Sequence, residues 1–392
     1  MKFIKKKISE LSIELIDGDR GKNYPKKNEF LNKGDCVFLN AKNVTSNDFC
    51  FEEINFITKD KDKLLNNGKL KRKDIVLTTR GTVGNVAYYS EKIPFECMRI
   101  NSGMIIIRCQ NSINEKYIYW YMRTKQFKNQ IKELQTGSAQ PQLPLSIIKN
   151  MVINICDMKN QNKIVYILDK IQEKINLNTH INNNLYEIMK RFFDNWVNNL
   201  DNYEESSLSK IANYINGLAM QKYRAKNEIG LPVIKIKEMN EGITDNTERC
   251  SSNIKEDYII ENGDILFAWS GTLCMTIWAQ GKAGLNQHIF KVQSKKYPKW
   301  FYYLWTEYYL GKFVEIAAGK ATTMGHIKRK ELDTAKVKIP IKKEMDKMDR
   351  IMQPMLDKYI NNKINNETLK QVRDTLLPKL MNGEIDLDKI EI

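Results

Sequence analysis

Signatures of self-contained chemistry are scarce in this 392-residue chain. No Pro-Pro dipeptide occurs among its nine prolines, which excludes the Asp/Asn-Pro-Pro-aromatic signature by which amino-methyltransferases hold a flipped base. No two of its 19 glycines lie two apart, so no G-x-G-x-x-G turn can seat a dinucleotide or S-adenosylmethionine. Gly-Lys pairs begin at Gly21, Gly68, Gly281, Gly311 and Gly319, but none is followed by Ser or Thr, which excludes a P-loop. Histidine is limited to His180, His288 and His326, none in an H-E-x-x-H or triad-like setting. Methyl transfer, ATP-driven translocation and zinc hydrolysis are therefore not expected of this chain alone.

The seven cysteines are odd in number and widely spaced, with no C-x-x-C. That pattern argues against a disulfide framework or zinc site, and for a reducing compartment. The first ten residues are basic with no apolar core behind them, and no apolar run approaches a membrane span. The expectation is a soluble cytoplasmic protein with no membrane contact.

What the chain has in excess is positive charge. Lys and Arg total 63 against 47 Asp and Glu, a net +16 with a pI near 9.3. A polyanionic partner fits that balance. An AT-rich genome would also enrich Lys, Asn and Ile together, so charge alone does not decide the matter.

The strongest pattern is an echo. Apolar or Asn positions recur at Ile164, Leu168, Ile171, Ile175, Asn178, Asn182 and Leu185, then Phe192 and Trp196. They recur 184 residues later at Met348, Met352, Met355, Tyr359, Asn362, Asn366 and Leu369, then Leu376 and Leu380. Steps of four and three mark a coiled-coil seam, and a buried Asn facing another Asn fixes its register. Each stretch predicts a helix of about forty residues, roughly 60 Å long. Pro354 predicts a late start or a kink in the second helix, and Pro378 with Gly383 predicts its end.

The flanking regions echo each other too. Asp74-Ile-Val-Leu returns as Asp264-Ile-Leu-Phe, and Arg80-Gly-Thr as Ser270-Gly-Thr. Short apolar runs predict strands at Cys36–Leu39, Asp74–Thr78, Val86–Tyr89, Met104–Arg108 and Met151–Ile155, with a helix over Lys116–Leu134. The aromatic runs Lys116–Trp120 and Trp300–Trp305 have helical spacing and predict core packing. The expected division is a mixed α/β unit at 1–157, a long helix at 158–199, a second unit at 200–341, a second helix at 342–384 and a tail at 385–392. The fold class is α+β: two similar domains separated by two long antiparallel coiled-coil helices, with an internal pseudo-twofold repeat.

Candidate DNA contacts are loop residues whose side chains suit phosphates or base edges. In the first unit they are Lys22, Lys26, Lys27, Thr79, Arg80 and Arg99, then Ser138, Gln140 and Gln142. In the second they are Lys222, Arg224, Trp269, Ser270, Thr272 and His288, then Lys320, Thr322, Thr323, Lys328 and Arg329. A coiled-coil scaffold whose paired domains bind protein or RNA is the competing reading.

The order domain, helix, domain, helix resembles the specificity subunit of type I restriction–modification systems. The resemblance covers nearly the whole chain. It is carried by Gly263-Asp-Ile-Leu-Phe-Ala-Trp-Ser-Gly-Thr272, Gly137-Ser-Ala-Gln-Pro-Gln-Leu143, the stretch after Val152-Ile-Asn-Ile155, and most specifically Leu376-Leu-Pro-Lys-Leu-Met-Asn-Gly-Glu-Ile385. Cys156-Asp-Met158 departs from the prolines usual in the family. The resemblance implies two target-recognition domains that read the halves of a split site in double-stranded DNA. It implies that the helices, through Ile164, Leu168, Ile171, Asn178, Asn182, Leu185, Met355, Asn362, Asn366 and Leu369, form the coiled coil and dock two modification subunits. S-adenosylmethionine would sit on those partners, with ATP and Mg2+ on restriction subunits where a system has them, and no cofactor, metal or catalytic residue on this chain.

Overall fold

A computed structural model describes residues 2–137, 141–226, 229–319 and 325–389. It divides into two compact units, one formed by residues 1–172 with 371–392, the other by residues 173–370. Each long helix therefore contributes to both units.

In the first unit, Ile4–Lys7 pairs antiparallel with Val152–Ile155. A four-stranded antiparallel sheet follows in the order Ile13–Asp17, Met104–Cys109, Ile75–Thr78, Val86–Tyr88. A three-stranded sheet sets Cys36–Phe38 between Phe56–Ile57 and Met98–Arg99. The four-stranded sheet is covered on both faces. Ile75, Leu77, Ile105 and Ile107 join the helices on one side, while Val76, Met104 and Ile106 join the smaller sheet on the other. Burial on both faces explains why these strands read as unbroken apolar runs.

The single helix expected over Lys116–Leu134 is two, Glu115–Met122 and Lys125–Leu134. Thr124 separates them. Its hydroxyl donates to the Tyr121 carbonyl at 2.7 Å and accepts from the Phe127 amide at 3.1 Å, which caps the second helix.

The second unit repeats the plan. Tyr203–Ser207 pairs with Lys336–Pro340, and a four-stranded antiparallel sheet runs Asn213–Asn216, Ile289–Gln293, Ile265–Ala268, Cys274–Ile277. A further sheet sets Leu231–Ile234 beside Ala283–Leu285 in parallel, as Cys36–Phe38 sits beside Met98–Arg99. The helix Lys299–Ala318 is unbroken here. In both units a glycine follows the first strand of the central sheet where nothing larger fits. A Cβ on Gly18 would lie 2.1 Å from the Asn101 carbonyl oxygen, and one on Gly217 would lie 2.2 Å from that of Asn286.

The long helices are Met158–Asn198 and Lys342–Asn382. The second runs unbroken through Pro354 and Pro378, contrary to the expected late start, and ends at Gly383, whose φ is +74°. Pro354 is exposed, so water can satisfy the carbonyl left without its amide partner. Within the second unit the helices pair antiparallel through four buried asparagines. Asn178 Nδ2 donates to Asn366 Oδ1 at 2.9 Å, and Asn362 Nδ2 donates to Asn182 Oδ1 at 2.9 Å. A shift of 184 residues carries Asn178 to Asn362 and Asn182 to Asn366, so it turns one pair into the other.

The seam drifts beyond the asparagines. Phe192 is 49% exposed whereas Phe193 is buried with Met189 and Val197, and Leu377 is buried where Leu376 is only partly so. A straight helix turns every 3.6 residues, so a seam counted at 3.5 slips by about 20° per heptad unless supercoiling absorbs it. Indole donors tie each domain to a long helix: Trp120 to Asp169 at 2.9 Å in the first unit, Trp300 to Asp349 at 2.8 Å in the second.

Lys363 supplies a pH test of the second unit. Its ammonium lies against Thr276 Oγ1 at 2.9 Å, and burial holds its pKa down to about 8. The folded state disfavours the charged form, so the unfolded chain binds more protons between about 8 and the ordinary 10.5. Stability should rise with pH across that window. Urea midpoints of the native chain minus those of Lys363→Met should increase from pH 7.5 to 9.5, and a flat difference would refute this.

Candidate nucleic-acid interface

Each central sheet presents one loop held by two backbone bonds. In the first unit the Thr79 amide donates to the Gly103 carbonyl at 2.8 Å, and the Leu143 amide donates to the Thr79 carbonyl at 3.0 Å. In the second unit Trp269 donates to His288 at 3.2 Å, and Ile327 donates to Trp269 at 3.1 Å. Isolated β-bridges extend the match: Arg80 with Gln142, and Ser270 with His326. Gly81 and Gly271, at φ of +74° and +76°, turn the chain just after each bridge.

The first loop borders a cavity of about 370 Å3 lined by Asp17, Arg20, Thr79, Arg80, Gln142 and Ser146. Arg80 and Arg20 are exposed, and Arg20 pairs with Asp17 at 3.0 Å. Lys22, Lys26 and Lys27 are exposed on the segment that follows.

The second loop is aromatic. The Trp269 indole donates to Asn216 Oδ1 at 2.9 Å and stacks on Phe290 with ring centres 5.6 Å apart. His288 and His326 flank it at 5.9 and 6.5 Å. Arg329 lies over Phe290 at 5.9 Å and donates to the Tyr214 carbonyl at 3.2 Å. Thr272, Lys328, Lys222 and Arg224 are exposed. Basic groups beside a flat aromatic face can meet phosphates and bases together.

A family model for the type I restriction modification DNA specificity domain matches residues 5–187 and again 201–373. The chain belongs to this family. It is a type I specificity subunit with two recognition domains, which makes it a DNA-sequence-recognising chain rather than an enzyme. It is 24% identical over 346 residues to the type I restriction enzyme MjaIX specificity subunit of Methanocaldococcus jannaschii, covering 81% of this chain and 78% of the relative. It is 20% identical over 455 residues to the HindI specificity subunit of Haemophilus influenzae, covering 94% and 98%. The crystal structure of the type I S subunit from M. genitalium shares the fold, with a TM-score of 0.56 at 16% identity over 97% of this chain and 96% of that one. The scaffold alternative keeps no support beside these matches.

Not every expected contact of this specificity chain lies at its surface. Arg99 is corrected: it is 4% exposed and structural. Its Nε donates to Asp62 Oδ1 at 2.5 Å, and its terminal nitrogens donate to the carbonyls of Asn67, Asp62 and Leu65 at 2.7–3.0 Å. Four of its five N–H donors are engaged inside the domain, and its burial keeps the side chain away from DNA. Thr79 and Ser270 are buried and hold their loops instead of projecting from them. Ser138, Gln140, Lys320, Thr322 and Thr323 lie outside the described residues. Asp17 and Asn216 reach the loops through strand register, Arg20 as a lining residue of the cavity and His326 through its bridge to Ser270, and local sequence pattern marks none of the four.

The cysteine expectation is also corrected at one place. Cys36 and Cys97 are joined as a disulfide, because Val37 lies parallel to Met98 and the preceding residues fall side by side. Sequence spacing could not reveal a pair 61 residues apart. With Asp62 they form the one metal-like grouping among the described residues, but Asp62 already accepts from Lys69 and Arg99. Among the described residues no helix is long and apolar enough to cross a membrane.

Proposed function

We infer that this specificity chain reads a split site in double-stranded DNA, one half-site per recognition domain, and supplies no catalysis of its own. The observation that carries the reading is the repeated loop clamp. The backbone bonds through Thr79 and Trp269 match, while the side chains around them differ. One frame with two sets of side chains suits two different DNA segments.

The long helices dock two adenine-methylating modification subunits and, in systems that have them, restriction subunits. S-adenosylmethionine binds to the modification subunits, and ATP with Mg2+ to the restriction subunits. The complex works in the cytoplasm, where the DNA is. Exposed Lys22, Lys26, Lys27, Lys222, Arg224, Lys328 and Arg329 meet phosphates, which gives binding a steep salt dependence.

The test is to purify the chain with its cognate modification subunits and map methylated adenines at base resolution. A motif of two defined segments around an unread gap is expected. A single unsplit motif, or none, would sink the reading.

A further inference from the structure

The strand registers align the two recognition domains residue by residue. Ile105 lies opposite both Leu77 and Asp17, and Phe290 lies opposite both Phe267 and Asn216. Asp17 therefore corresponds to Asn216. Continuing along the same strands, Thr79 corresponds to Trp269, Arg80 to Ser270 and Gly103 to His288. The two β-bridges add Gln142 to His326. At these places the backbone is kept and the chemistry is exchanged.

We propose that Arg80 and Gln142 are the base-reading pair of the first domain, and that Arg80 selects a guanine in its half-site. This rests on the half-site reading given above. Arginine forks elsewhere in the first domain are committed: Arg72 to Glu96, Arg99 to Asp62 and Arg108 to Asp74. Arg80 is exposed and has no carboxylate partner among the described residues, since the nearby Asp17 is taken by Arg20. Its backbone is fixed by the Gly103 carbonyl at 3.2 Å and by the bridge to Gln142, so its fork leaves from a rigid base.

Two chemistries then apply. A guanidinium fork matches O6 and N7 of guanine in the major groove, and a Gln amide matches N6 and N7 of adenine. Bridged residues have Cα atoms about 5 Å apart, and base pairs follow each other every 3.4 Å or so. Arg80 and Gln142 therefore address the same or adjacent base pairs. In the second domain the position that corresponds to Arg80 is a serine. Ser270, which is buried, and His326, which is partly exposed, take the places of Arg80 and Gln142 beside the Trp269 ring, so the second half-site differs in sequence from the first.

The experiment uses the complex of this chain with its modification subunits, acting on a library of randomised duplexes whose methylated products are sequenced. Arg80→Ala should reduce discrimination at one guanine by about 5- to 150-fold and leave the other half-site intact. Arg80→Gln should move the preference at that position from guanine to adenine. Gln142→Ala should relax the same or the adjacent position. Thermal midpoints establish that each variant is folded, and Arg80→Gln carries the test should Arg80→Ala be unstable. An unchanged motif, or a uniform loss across all sequences such as a phosphate contact would give, overturns the assignment. A split wild-type motif with no guanine at the responding position overturns the assignment alone. A wild-type motif that is not split overturns the half-site reading and the assignment with it.

Discussion

Asp62→Ala is expected to destabilise the first recognition domain by about 3–5 kcal/mol, because it strands a buried arginine. Arg99 is 4% exposed and spends its fork on Asp62 and on three backbone carbonyls. Without the carboxylate, its charge stays buried and unpaired. Burial pushes the Asp62 carboxyl up, but the hydrogen bonds from Lys69 and Arg99 outweigh it and leave the group below its ordinary value. Its contribution is therefore present above the unfolded carboxyl's 3.8 and is lost as pH falls through the folded value. Urea unfolding at pH 7 measures the loss, and a change under about 1 kcal/mol would show that the pair is dispensable. Arg99→Ala should likewise weaken the fold while leaving the methylated motif as it was.

A seven-residue insertion after Gln172, matched by another after Lys370, is expected to abolish methylation of the original motif. Seven residues preserve the seam and lengthen each helix by about 10 Å, the span of about three base pairs. Any surviving motif should keep both half-sites and widen only the gap. The insertions avoid the asparagine pairs, which hold from Asn178 to Asn366 and from Asn182 to Asn362. Recovery of the original gap would refute the idea that the helices measure it.

The repeat was legible because the echo survives at residues that bear on architecture. The asparagines at 178, 182, 362 and 366 are buried and paired, as a register device must be. The strands around Ile75–Leu77 and Ile265–Phe267 are buried on both faces, so their apolar runs are continuous. Where one residue decides, the sequence was less informative. Phe192 and Phe193 differ by one position, and the choice turns on the gap between 3.5 and 3.6 residues per turn. Ile4–Lys7 is a strand whose three lysines hide it. Arg99 sits on a two-residue strand, too short to show any period, and only the fold reveals Asp62 waiting for it. The loop partnerships of Arg80 with Gln142 and of Ser270 with His326 cross long stretches of chain. They follow from register, which no local pattern encodes.

The stretch that most resembles the family closes the first unit. Leu377, Leu380, Met381 and Leu387 complete the core formed by Ile8, Ile153 and Ile164, and a Cβ on Gly383 would lie 2.6 Å from the Phe3 ring. On the ribosome this inverts the order of assembly. The first 172 residues emerge early but lack part of their core until residues 371–392 have been translated. At about 5–20 residues per second, the intervening 200 or so residues take roughly 10–40 s. The unit that is encoded within the other can fold as it emerges, while the unit encoded first waits with an apolar surface open. Chaperone demand during synthesis should fall on the N-terminal unit and end only when the final helix is released.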